Sequence, residues 1–189
     1  VYRLTRREDT VGVVTAAGQI PAFALSLFAG VIVDRRYRLP LLKWTQALSM
    51  LESFGLATVA FWTARYGDKV PETIATEAVL GLCGLAVFQG LVNAFDVPAR
   101  QSLVVHLVER REDLGNAIAL NSSMFNLARA IGPLVAGSLI YFFNEGWCFT
   151  IDGVSYGAVL MALWMMRVNE PPPPPKSERR HVLVELKEG

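Results

Sequence analysis

The charged residues of this chain fall into short groups separated by apolar stretches about 20 residues or more long, the length an α-helix needs to cross the hydrocarbon core of a bilayer. In lipid the backbone of such a stretch must satisfy its own hydrogen bonds, which leaves helices or a closed barrel. No stretch alternates with the two-residue period of barrel strands, so helices are expected. The expected fold class is an all-α polytopic membrane protein with five spans, over residues 11–33, 39–62, 74–95, 117–143 and 147–166. Composition agrees, because 19% of the residues are charged, against roughly 25% in soluble domains. A formal net charge of +1 gives no basic field, so no nucleic-acid partner is expected.

Lys and Arg set the orientation. One side receives Arg35, Arg36, Arg38 and Lys43 after the first span, then Arg100, Arg110 and Arg111 after the third. It also receives Arg167, Lys176, Arg179, Arg180 and Lys187 after the fifth. The other side has only Arg3, Arg6, Arg7, Arg65 and Lys69. The richer side is expected to be cytoplasmic. Residues 1–10 then read as a polar periplasmic loop, residues 11–168 as the transmembrane bundle, and residues 169–189 as a cytoplasmic linker. The five prolines at 171–175 favour a stiff polyproline segment in that linker. With no starting Met and no signal peptide, the sequence reads as a fragment that lacks one earlier span.

Cys83 and Cys148 lie far apart inside apolar stretches, and His106 and His181 have no helix-borne metal spacing. No metal, no cofactor and no catalytic set is expected, and the chain does not read as an enzyme. The residues that carry chemistry are polar groups in or at the edges of the spans. Gly30-Val-Ile-Val-Asp34-Arg35-Arg36-Tyr37-Arg38 closes the first span, with Gly30 one turn before Asp34 to permit close helix approach. Asn93-Ala-Phe-Asp96-Val-Pro98-Ala-Arg100-Gln101 closes the third, where Pro98 is expected to stop the helix. Asp96 and Arg100 then share a membrane level with Asp34 and Arg38, and a charge network between them is geometrically feasible. In the fourth span Ser122, Asn126 and Arg129 fall on one helical face ahead of Gly132-Pro133 and Gly137. A charge at mid-membrane costs about 2.5–3.5 kcal/mol on insertion scales and usually faces a cavity or a partner. Two readings of Arg129 stand open: contact with an anionic substrate or titrating carboxylate, or structural pairing with another helix. Glu52, in the second span, is either a proton carrier or a neutral, snorkelling side chain. Gln19, Gln89 and Asn93 are either cavity-lining groups or polar glue between helices.

The first of these motifs resembles motif A of the major facilitator superfamily, G-x-x-x-D-R-x-x-R, with Tyr37 where a glycine is usual. The run Ala128-Arg129-Ala130-Ile131-Gly132-Pro133-Leu134-Val135-Ala136-Gly137 resembles motif C, with Ala128 and Ala136 replacing glycines. The runs from Asp96 to Gln101, Asn116 to Ser122, Phe125 to Pro133 and Gly146 to Phe149 look like the enterobactin-exporter-type branch, which includes siderophore, metal and drug exporters of bacteria. The resemblance implies helices 2–6 of an N-terminal six-helix bundle in the bacterial inner membrane. It implies Gly30, Asp34, Arg35 and Arg38 as a cytoplasmic gating latch, and proton-coupled efflux by alternating access. The implied partners are the bilayer, a small-molecule substrate, protons, the absent first helix and a second six-helix half. The fragment alone is expected to be inactive. The competing reading is a membrane structural or interaction subunit with no transport activity.

Overall fold

A computed structural model describes residues 1–67, 70–108, 111–166 and 168. The proline run and the rest of the proposed linker lie outside the described residues. The described chain is helical: α1 (Tyr2–Thr5), α2 (Glu8–Asp34), α3 (Arg38–Ala64), α4 (Glu72–Leu107), α5 (Leu114–Phe142) and α6 (Glu145–Met165), with a 3₁₀ turn at Arg111–Asp113. The last four of these helices are long and apolar enough to cross a membrane. A fifth is added when α2, bent by 55° between Glu8–Ser26 and Phe28–Asp34, is taken as one span.

Two expectations are corrected. The first ten residues are not a loop, since α1 occupies part of them and α2 already begins at Glu8. Acidic Glu8 and Asp9 in the first turn of α2 suit the positive end of its dipole, and Arg7 pairs with Asp9 at 2.7 Å. Nor does Pro98 end its helix, because α4 runs through it for 36 residues. A proline inside a helix forfeits one N–H, but neighbouring helices make that tolerable within a membrane bundle. At 1.5 Å per residue α4 is roughly 54 Å long, well beyond a bilayer core of about 30 Å.

The helices run alternately up and down, and side-chain contacts fix their registers. α3 lies antiparallel to α4, with Arg38 donating from Nε to Ser102 Oγ at 2.9 Å near one end and Gly55 facing Leu85 farther along. α3 is also antiparallel to α6. There Phe54 covers Gly153 and Phe61 covers Gly146, aromatic knobs seven residues apart filling glycine holes seven residues apart. Trp147 meets the edge of Phe61 at 5.9 Å between centroids, and Lys43 lies over Trp164 at 5.5 Å. α2 runs parallel to α4. Val33 joins Leu39, Leu42, Ala99 and Leu103 in an apolar cluster at the charged end of the bundle.

A methyl group at Gly30 would meet nothing within 4 Å. Among the described glycines the tightest approach is between Gly18 and Gly90, where a Cβ on Gly90 would be driven into the Gly18 carbonyl oxygen. α5 stands apart, with no buried residue; it packs along α6 and touches α4.

Gly90→Ala is therefore expected to destabilise the full-length protein by about 1–3 kcal/mol, the usual cost of overpacking. Gly84→Ala, on the same helix with open space around it, is expected to be neutral or slightly stabilising. Equilibrium unfolding of both variants in mild detergent checks the contrast.

Candidate functional site

A cavity of about 670 Å³ is lined by α1, α2, α3, α4 and the start of α6. Arg3, Arg6, Asn144 and Glu145 stand at one end of it, and Arg3 Nη1 meets Glu145 Oε1 at 2.6 Å, tying α1 to α6. Asn144 caps α6 by accepting from the Trp147 N–H at 3.1 Å, which holds this corner. Deeper in, the wall carries Gln19 from α2, Glu52 from α3, and Gln89 and Asn93 from α4. Four of the candidate residues named from the sequence, Gln19, Glu52, Gln89 and Asn93, are thus brought together.

Glu52 sits near the middle of α3, is only 8% exposed, and accepts no hydrogen bond from any described residue. Gln89 Nε2 reaches Ser49 Oγ at 3.5 Å, while Gln89 Oε1 is buried with no donor among the described residues. An unpaired buried acceptor costs about 1–3 kcal/mol, so a donor entering the cavity is favoured there. Among the described residues no three His, Cys, Asp or Glu side chains converge as a metal site would require.

Asp96 is the opposite case. It is 5% exposed, yet its Oδ1 accepts from Thr45 Oγ1 at 2.6 Å and Gln46 Nε2 at 2.7 Å, and its Oδ2 from Arg100 Nη2 at 2.7 Å. With Arg38 bonded to Ser102 on the same helix, Arg38, Asp96 and Arg100 form a polar seam between α3 and α4. Asp34 is exposed at the end of α2, and Arg35 is half-buried.

The fourth-span residues lie elsewhere. Ser122, Asn126 and Arg129 are exposed on α5 and do not line the cavity; Arg129 lies over the Phe125 ring at 5.5 Å. Gly132 lines a separate groove of about 550 Å³ between α5 and α6, and both Gly132 and Gly137 have open space where a Cβ would stand. Pro133 lies within α5.

Thr45, Gln46, Ser53 and Asp152 were not singled out by the sequence reading. Ser53 Oγ donates to Asp152 Oδ2 at 2.6 Å across the α3–α6 seam. The available signal was a polar stripe, Thr45, Ser49, Glu52 and Ser53, at helical spacing in an otherwise apolar helix.

Helices of bilayer length packed around a cavity that reaches buried polar groups at mid-span form a multi-pass membrane bundle. Over residues 2–184 the chain matches the family model of transmembrane secretion effectors, and it belongs to that family, within the major facilitator superfamily. It is similar to the staphyloferrin A transporter of Staphylococcus aureus (strain NCTC 8325 / PS 47), at 26% identity over 155 residues. That alignment covers 81% of this chain and 36% of the relative, so the chain spans about a third of the relative's length. No solved structure matches.

Asp96→Ala strands the Thr45 and Gln46 donors in a buried site and is expected to cost about 1–3 kcal/mol. Arg100→Ala removes a partner whose side chain is 54% exposed and is expected to cost less than about 1 kcal/mol. Denaturant titrations of the two variants, compared with the wild type, test this order.

Proposed function

We propose that the full-length protein is a secondary active exporter that moves a small molecule, a siderophore or a drug, out of a bacterial cell in exchange for protons. The observation that carries this reading is the cavity, with an unpaired carboxyl, Glu52, and the amides Gln89 and Asn93 in its wall at mid-membrane depth. A substrate site at the bilayer midplane between two halves is the usual arrangement in secondary transporters. The relative's name, a staphyloferrin A transporter, supports a siderophore as the first substrate to test.

In this reading the end bearing Asp34, Arg35, Arg38 and Arg100 faces the cytoplasm of a cell bounded by its plasma membrane. Gly30, Asp34, Arg35 and Arg38 form the latch that closes when the transporter opens outward, and Asp96, Pro98 and Arg100 form its seat on α4. Gly132, Pro133 and Gly137 shape the α5 surface that packs against another helix. Ser122, Asn126 and Arg129 meet a surface outside the described chain, Arg129 facing an anionic group. Residues 1–10 lie on the periplasmic side, 11–168 form the bundle, and 169–189 link it to a second half. The chain on its own does not transport.

Full-length protein in proteoliposomes is expected to move staphyloferrin A under an imposed pH gradient, and the isolated chain is not. Glu52→Gln is expected to reduce gradient-driven movement to the level of empty liposomes while substrate binding persists. Arg129→Ala is expected to lower transport without unfolding the protein. Gradient-driven transport by Glu52→Gln at the wild-type rate would sink the role given to Glu52, and transport of drugs but not staphyloferrin A would move the substrate class.

A further inference from the structure

Lys43 stands in the second turn of α3 and holds its ammonium over the Trp164 ring, in the last turn of α6, at 5.5 Å from the centroid. α3 has 27 residues and is roughly 40 Å long, so it overshoots a bilayer core of about 30 Å by about 5 Å at each end. That places Lys43 close to the boundary between hydrocarbon and headgroups, where a lysine stem reaches the polar layer. Trp44, next to it on α3, is 70% exposed, and Trp164 is 75% exposed. Tryptophan is enriched at this level of membrane proteins because one side of its ring is apolar and its N–H seeks a polar partner.

Other cations at this end are engaged inside the bundle: Arg38 donates to Ser102, and Arg100 to Asp96. Lys43 is different. Among the described residues no acid pairs with it, and no acceptor takes the indole N–H of Trp44 or Trp164. From Arg38 to Leu51 on α3, and from Gly153 to Met165 on α6, the sequence has no Asp or Glu. The corner where α3 meets α6 thus offers one ammonium and two indole N–H groups, all donors, with no described counter-ion. Apolar side chains continue from it towards mid-membrane. Leu51, seven residues from Trp44 on one face of α3, is exposed, as are Met161 and Met165 beside Trp164 on α6.

We propose that this corner binds an anionic phospholipid, with the lipid phosphate at Lys43 and the indole N–H groups and the acyl chains along Leu51 and Met161. The inference goes beyond the transporter reading and does not need it; it requires only that the bundle spans a bilayer. Charge complementarity selects the occupant. A zwitterionic headgroup brings its own cation towards Lys43, whereas an anionic one leaves the ammonium as its nearest counter-charge. One lysine at a membrane surface is worth about fivefold in affinity for anionic lipid. The ring of Trp164 makes the difference between diffuse attraction and a site, because it holds the ammonium in one place instead of leaving it to sweep the headgroup layer.

The test is native mass spectrometry of the full-length protein in detergent, titrated with phosphatidylglycerol and phosphatidylcholine of the same acyl chains. The wild type is expected to retain phosphatidylglycerol about fivefold better. Lys43→Gln is expected to abolish that preference and Lys43→Arg to keep it, while Trp164→Leu lowers it by about two- to fivefold. Arg36→Gln removes an exposed cation on the α2–α3 turn, outside the corner, and is expected to leave the preference intact. Should Lys43→Gln not fold, Trp164→Leu carries the measurement. Equal retention of the two lipids by the wild type overturns the site, and so does an equal loss in Arg36→Gln and Lys43→Gln, which would mean diffuse attraction only. Displacement of the bound lipid by inorganic phosphate or glycerol 3-phosphate would give the corner to a free phosphate. A dimer that forms without lipid and is lost in Lys43→Gln would give it to a second copy of the protein. Either result overturns the lipid.

Discussion

The backbones of α2 and α4 touch at Gly18 and Gly90, and much of the bundle is arranged around that contact. Lipid tails are as apolar as leucine, so helices in a membrane gain little from hiding apolar side chains from one another. They gain from close backbone approach and from polar groups that find partners. Glycine supplies the first here, and Gly18 and Gly90 themselves form part of the cavity wall. Because the two helices can come no closer, α2 closes one side of the cavity at a fixed distance from α4. α3 then joins this pair through its register with α4, and α6 joins α3 through the phenylalanine-into-glycine seam.

Two buried acids on adjoining helices show how the same physics yields different outcomes. Asp96 is buried and fully engaged, with two side chains of α3 and one of its own helix donating to it. A carboxylate so held is a fastener between α3 and α4. Glu52, about as well buried, has no donor among the described residues. Its carboxyl belongs to the cavity wall rather than to a bond between helices. The bundle therefore contains one acid that fastens helices and one left open to the cavity; Thr45 and Gln46, which hold Asp96, lie on α3 less than two helical turns before Glu52.

The spans were legible because charge spacing and hydropathy act over a whole helix. The span expected at residues 39–62 and the helix Arg38–Ala64 differ by no more than two residues at either end. Helix ends were less legible where the usual punctuation fails. Pro98 reads as a stop in water, but a proline inside a bundle loses only one bond, and α4 continues past it. The grouping of Glu52 with Gln89 and Asn93 could be suspected from their depth. The partnership of Ser53 with Asp152 could not, because it depends on the α3–α6 register, which the glycine holes at 146 and 153 set. Gly30 shows a related limit: a glycine permits close approach but does not say which helix takes the offer.

α5 obeys a different balance. Arg129 lies exposed in a helix of bilayer-spanning length, where a charge costs about 2.5–3.5 kcal/mol. Its contact with the Phe125 ring returns about 0.5–1 kcal/mol of that, so the polar face of α5 is not satisfied by contacts among the described residues. On its other side the helix meets α6 across an apolar groove rather than through an interlocked seam. The frame of α2, α3, α4 and α6 is thus held by close backbone contacts and buried hydrogen bonds, whereas α5 is attached through a loosely filled interface with α6 and a slight contact with α4. Asp152 stands at that junction. The surroundings of Glu52 are set by the frame and those of Asp152 partly by α5, so a shift of α5 alone would change what Asp152 meets while leaving Glu52 in place.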